Sequence, residues 1–177
     1  PNDTFIFDAL VNGRIDTGGL GLEPVLEDVQ TLNEWARAGR LDVSKISYGV
    51  LPAVSTTYAV LSAGRALGRG VGPLLVARSD APFRPESMSV AVPGRDTTAH
   101  LLFSLAFPGA ARKEFVVFSD VESAVLDGRV DAGVIIHEGR FTYEKKGLVR
   151  LADLGEVWEE RMHGPLPLGA IAIRREL

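Results

Sequence analysis

Cysteine is absent from this 177-residue chain, and with it go disulfides, thiolate nucleophiles, iron–sulfur ligation and every cysteine-based zinc site. Basic charge is in short supply too. Nineteen Lys and Arg stand against 23 Asp and Glu, a net charge of −4, so no positive field draws in nucleic acid or an anionic membrane. No apolar run comes near the ~20 residues that span a bilayer, and no basic-then-apolar targeting segment is visible. Because the chain begins at Pro1 rather than Met, sequence upstream is expected, and the missing signal peptide excludes nothing. Histidines number three; His137-Glu138 lacks the second histidine of a zinc helix, and no other pair shares a helical face, so no metal site is expected. There is no Gly-x-Ser-x-Gly elbow, no phosphate loop and no dinucleotide fingerprint, which leaves no cofactor motif.

What is present is a globular mixture, 46% hydrophobic and 24% charged, long enough for one large domain or two compact lobes. Helical spacing runs over 1–14, with Asn2 or Asp3 as cap, and over 31–40, where Leu32, Trp35 and Ala36 share a face. It recurs over 51–62, 97–107, 120–126 and 157–162. Alternation or short apolar runs predict strands at 22–29, 43–48, 74–77, 89–92, 115–118, 132–136, 148–151 and 168–173. Strands alternating with short helices predict an α/β fold with largely parallel sheets. Pro82 and Pro85 mark 79–87 as a crossing between two lobes with a ligand cleft between them. The first lobe is then 1–79, with a return strand in 166–177, and the second is 80–165.

His137 is the best-placed chemical group. It follows the apolar run Ala132-Gly133-Val134-Ile135-Ile136, and the carboxyl edge of an open α/β sheet is where ligands bind. Its imidazole suits proton transfer near neutrality; the alternative is a histidine that merely hydrogen-bonds a loop. His100 and His163 are weaker candidates, one within a helix and the other in a Gly-Pro loop. Val92-Pro93-Gly94-Arg95-Asp96-Thr97-Thr98 is a strand end, a tight turn and a helix start. Its free N–H groups and two hydroxyls would form an anion pocket, with ordinary capping by Asp96 or Thr97 as the alternative and Thr98 remaining free. Lys45 and Ser47 project from one face of a strand and would offer a cation and a hydroxyl to the cleft, unless Lys45 is a plain surface lysine. Gly68 to Pro73 reads locally as a flexible connection.

Several of these segments together resemble one family. Pro1-Asn2-Asp3-Thr4-Phe5-Ile6-Phe7, Leu22 to Val29, Lys45-Ile46-Ser47-Tyr48, Gly68 to Pro73, Val92 to Thr98 and Ile135-Ile136-His137-Glu138-Gly139-Arg140-Phe141-Thr142-Tyr143 are similar, in order, to stretches of the 1,4-dihydroxy-6-naphthoate synthases. The resemblance implies a two-lobed fold like that of type II periplasmic binding proteins, with family segments before Pro1 and after Leu177 missing. It implies a cytoplasmic, cofactor-independent carbon–carbon lyase of the futalosine route to menaquinone. The substrate would be cyclic dehypoxanthine futalosine, a carboxylate-bearing, nucleoside-derived small molecule. His137 would be the general base, and Lys45, Ile46, Ser47, Thr97 and Thr98 the substrate contacts. Two rivals share the fold: a solute-binding protein for a small carboxylate, and chorismate dehydratase of the same pathway. Oligomeric state is not legible.

Overall fold

The computed structural model describes residues 4–79 and 82–177. Two sheets organise it. In the first, β9 (Leu166–Arg174) is the central strand, with β1 (Val43–Ser47) along one edge and β2 (Tyr58–Val60) and β3 (Ala66–Gly68) in succession along the other, all antiparallel. The second runs β6 (Arg112–Phe115), β5 (Ser89–Val92), β7 (Ala132–Ile135), β4 (Leu74–Ala77), β8 (Val149–Asp153). Here only β6, β5 and β7 are parallel, and β4 is antiparallel to both its neighbours. The expectation of largely parallel sheets is therefore corrected. Parallel pairing needs a crossover, and only α4 (Thr98–Ala106) and α5 (Val121–Leu126) supply one, between β5 and β6 and between β6 and β7.

The other departures have local causes. Helix α1 covers Thr4–Val11, while the proposed cap at Asn2 or Asp3 lies outside the described residues. The strand expected at 22–29 is absent. Val29 instead opens α2 (Val29–Arg37), because the Asp28 carboxylate accepts the N–H groups of Gln30 and Thr31 at 2.8 and 3.3 Å. The helix expected over 51–62 stops after α3 (Leu51–Val54), and Tyr58–Val60 pairs with β9 instead. Tyr and Val suit a pleated surface, and a distant partner strand was there to accept them. The strand expected at 115–118 lies three residues earlier, as β6.

The proline-bearing segment 79–87, of which 80 and 81 are outside the described residues, joins β4 to β5 within one sheet. The chain passes between sheets earlier, from Gly68 to Leu74, and we place the lobe boundary at 69–73.

Each sheet has its own core. Ala36 and Val54 pack with Ile46, Tyr58 and Ala172 on the first. On the second, the strands divide with period two. Leu75, Val90, Val92 and Val134 face Phe103 of α4 and Leu154 of α7 (Leu154–Met162), while Leu74, Val76 and Ala91 face Val121 and Val125 of α5. Gly133 lets α5 lie flat on the sheet, since a Cβ there would stand 2.7 Å from the Val121 and Val125 side chains. Among the described residues no helix is long and apolar enough to cross a membrane.

Asp131 registers β7 against β5. Its carboxylate accepts the Ser89 N–H at 2.7 Å and the Ser89 hydroxyl at 2.9 Å. The backbone bond above all, then the hydroxyl, holds its pKa below the usual carboxylate value. A depressed pKa stabilises the fold above the unfolded value and loses that contribution as pH falls through the folded one. Asp131→Asn is therefore expected to lower Tm at neutral and alkaline pH and to flatten the acid side of a Tm-against-pH curve, the two proteins converging as pH falls.

Candidate functional site

Because β6, β5 and β7 are parallel, their carboxyl ends lie along one edge. Val92 leads from there into the Gly94–Thr98 turn, and Ile135 leads to His137 one strand away, a spacing of about 4.8 Å between strands. His137 is exposed, and Phe118, which follows β6, meets its ring edge to face at 5.6 Å. The Phe118–His137 pair thus spans the end of β5, the middle strand of the three.

His137 also has φ +56°, the left-handed region. For an L-residue this costs roughly 1–2 kcal/mol and persists where surrounding structure enforces it, often at functional sites. The other left-handed side chain among the described residues, His163 at φ +52°, has the ordinary explanation of ending α7, its N–H donating to the Glu159 carbonyl. His100 is also structural. Its Nδ1 lies 2.6 Å from the Arg95 carbonyl and its Nε2 3.3 Å from the Lys113 ammonium, its ring stands edge-on to Phe115, and burial holds its pKa below the usual value.

The Gly94–Thr98 turn is not an open anion pocket, because α2 of the other lobe occupies it. Gln30 Oε1 accepts the Asp96 N–H at 2.9 Å and fills the space where a Cβ on Gly94 would stand. Arg37 pairs with the Asp96 carboxylate at 3.4 Å. Asn33, fully buried, donates to the Asp96 carbonyl at 3.0 Å and to the Ser47 hydroxyl at 3.1 Å, and accepts the Ser47 N–H at 2.9 Å. One amide therefore joins Ser47 of β1 to the turn that precedes Thr97 and Thr98. Nothing in the sequence pattern singled out Asn33. The available signal was a polar stripe at helical spacing, Gln30, Asn33 and Arg37, beside the apolar Ala36.

The hydroxyls are engaged. Thr97 donates to the Gly94 carbonyl at 3.0 Å and caps α4 by accepting the His100 N–H at 3.2 Å. Thr98, expected to remain free, donates to the Leu168 carbonyl at 2.8 Å and accepts the Gly49 N–H at 3.3 Å. Lys45 reaches the same place, its Cε 3.1 Å from where a Cβ on Gly169 would stand. Ile46 differs from the others. Its side chain is buried in the core of the first sheet, so only its backbone can face a ligand. The structure thus gathers Lys45, Ser47, Thr97 and Thr98 where the lobes meet, with His137 along the same sheet edge.

Losing Asn33 would leave the Ser47 N–H and the Asp96 carbonyl without a partner. Asn33→Ala is expected to cost about 1–3 kcal/mol by chemical denaturation. It should also weaken ligand binding more than Asp131→Asn does.

A family model described as menaquinone biosynthesis matches residues 1–177. A Thermus thermophilus protein named 1,4-dihydroxy-6-naphthoate synthase is 54% identical over 178 residues, covering 100% of this chain. The chain spans 64% of that relative's length. A crystal structure of an Archaeoglobus fulgidus protein superposes with a TM-score of 0.91 at 42% identity, covering 99% of this chain and 65% of the other. The ligand-binding component of an ABC-type import system from Staphylococcus aureus superposes at 0.68 with 15% identity, covering 98% and 62%. At that identity the likeness concerns the fold alone, which is the two-lobed fold of the periplasmic solute-binding proteins.

Proposed function

Since the chain belongs to the menaquinone biosynthesis family, we propose that it carries the reaction site of a 1,4-dihydroxy-6-naphthoate synthase, a cytoplasmic lyase. The reaction is cleavage of cyclic dehypoxanthine futalosine to 1,4-dihydroxy-6-naphthoate with release of a small sugar-derived fragment. The observation that carries this reading is His137, an imidazole held in a left-handed turn at the carboxyl edge of the sheet, one strand from the Gly94–Thr98 turn.

In this reading His137 removes a proton from the substrate and so sets up elimination of the sugar portion. The step needs no external electron acceptor. Lys45 supplies positive charge for the substrate carboxylate. Ser47 and Thr98 supply hydroxyls, and Ile46 its backbone. Thr97 is tied within its own turn and shapes the helix start. Thr98 and the turn are tied partly to the opposite lobe, through Gly49, Gln30 and Asn33. Separation of the lobes releases those groups to substrate, and reclosure excludes water.

The test is incubation of the full-length protein, dialysed against chelator, with cyclic dehypoxanthine futalosine and mass detection of the product. Formation of 1,4-dihydroxy-6-naphthoate supports the reading. Tight binding without product would replace it with the solute-binding reading, and dehydration of chorismate in a parallel incubation would replace it with the dehydratase.

A further inference from the structure

Arg140 lies three residues beyond His137, on the four-residue helix α6 (Gly139–Thr142). One turn of helix cannot hold itself in place, and the left-handed backbone just before it needs restraint. Arg140 is largely buried, and its guanidinium has three partners. It donates to the Gly72 carbonyl at 2.9 Å, to the Gly70 carbonyl at 3.2 Å and to the fully buried Asp153 carboxylate at 2.5 Å. Asp153 is itself immobilised, because its other oxygen caps α7 through the N–H groups of Gly155 and Glu156 at 2.9 and 3.2 Å. Arg140's own N–H closes the turn by donating to the His137 carbonyl at 3.2 Å.

Its partners Gly70 and Gly72 belong to the crossing between the two sheets. That crossing is exposed at Arg69 to Val71 but is tied to α7, which the flexible connection expected from its glycines did not anticipate. A Cβ on Gly155 would stand 2.6 Å from the Val71 carbonyl oxygen, and the Gly70 N–H donates to Glu159 at 2.8 Å.

We propose that Arg140, seated by Asp153, is a positioning residue that fixes the His137 turn to the crossing between the lobes. The base is thereby registered to the hinge rather than only to its own strand. The proposal rests on His137 being the base. A planar fork is required, because a lysine ammonium could meet Asp153 but could not also hold two carbonyls in fixed directions.

The experiment compares Arg140→Lys, Asp153→Asn and, as control, Arg129→Gln, which breaks an exposed pair with Glu114. Two readouts are taken in the full-length protein: kcat and KM with cyclic dehypoxanthine futalosine, and the His137 imidazole NMR signals, assigned by their loss in a His137 variant. Arg140→Lys is expected to lower kcat about 10–100-fold and to move KM less than about 3-fold, with the His137 signals displaced. Asp153→Asn, which can still cap α7, gives a smaller change of the same kind, and the control gives none. A lowered Tm with unchanged kcat and unchanged His137 signals would overturn the proposal and leave Arg140 merely structural. Should Arg140→Lys not fold, Asp153→Asn decides on the same readouts. Should wild type turn over none of the compound, displaced signals still support the positioning link, while the reading of the reaction fails alone.

Discussion

His137→Gly is expected to lower kcat by about two to four orders of magnitude while raising stability by about 1 kcal/mol. The two effects have separate causes. Removing the imidazole removes proton transfer, a loss of about 10²–10⁴ in kcat for a general base. Removing the Cβ relieves the left-handed conformation at φ +56°, which glycine adopts without penalty. His137→Asn separates them further, since asparagine tolerates that region. It should match wild type in stability and His137→Gly in lost activity. Substrate affinity, measured by calorimetry, should change little in either variant. A His137→Gly protein less stable than wild type would show that the ring's packing, the contact with Phe118 included, outweighs the backbone cost. Retained kcat in both variants would remove His137 from the chemistry altogether.

Gly49→Ala is expected to have the largest effect on binding. A Cβ at this position would stand 2.5 Å from the Thr97 carbonyl oxygen, 2.6 Å from its carbon and 2.9 Å from the Thr98 nitrogen. All three are backbone atoms, so no side chain can swing aside. The lobes must separate here or the start of α4 must shift, at a cost of about 1–3 kcal/mol. Thr98 loses its bond from the Gly49 N–H in either case, and the closed arrangement is no longer reached. Substrate Kd should rise at least about tenfold, a difference of about 1.4 kcal/mol. Gly21→Ala is the matched control: its new methyl meets nothing within 4 Å, and Tm and Kd should stay at wild-type values. Wild-type affinity in Gly49→Ala would show that this contact plays no part in binding.

The sequence by itself determined the elements whose information is local. The short runs at Leu74–Ala77, Ser89–Val92 and Ala132–Ile135 read as strands, and they form the centre of the second sheet. A histidine just past one of them, and a glycine turn with threonines just past another, are placed near a sheet edge by residue pattern alone. Tertiary structure decided whatever depended on a partner far along the chain. β9 arrives more than a hundred residues after Tyr58–Val60 and makes a strand of a segment whose own pattern is helical. The stretch 22–29 has strand-like alternation but no pairing among the described residues, and Asp28 uses its end to start a helix. Pro82 and Pro85 looked like the passage between lobes. Which sheet claims Leu74–Ala77 depends on β7 and β8, and these move the passage to the glycines before it. The site follows the same division. Residue types and strand ends were legible, whereas the engaged hydroxyl of Thr98, the bridging amide of Asn33 and the grip of Arg140 on the crossing were not. Periodicity reports which face of an element is apolar. A hydrogen bond between residues 14 to 70 positions apart reports how two elements lie against each other, and only the packed chain specifies that.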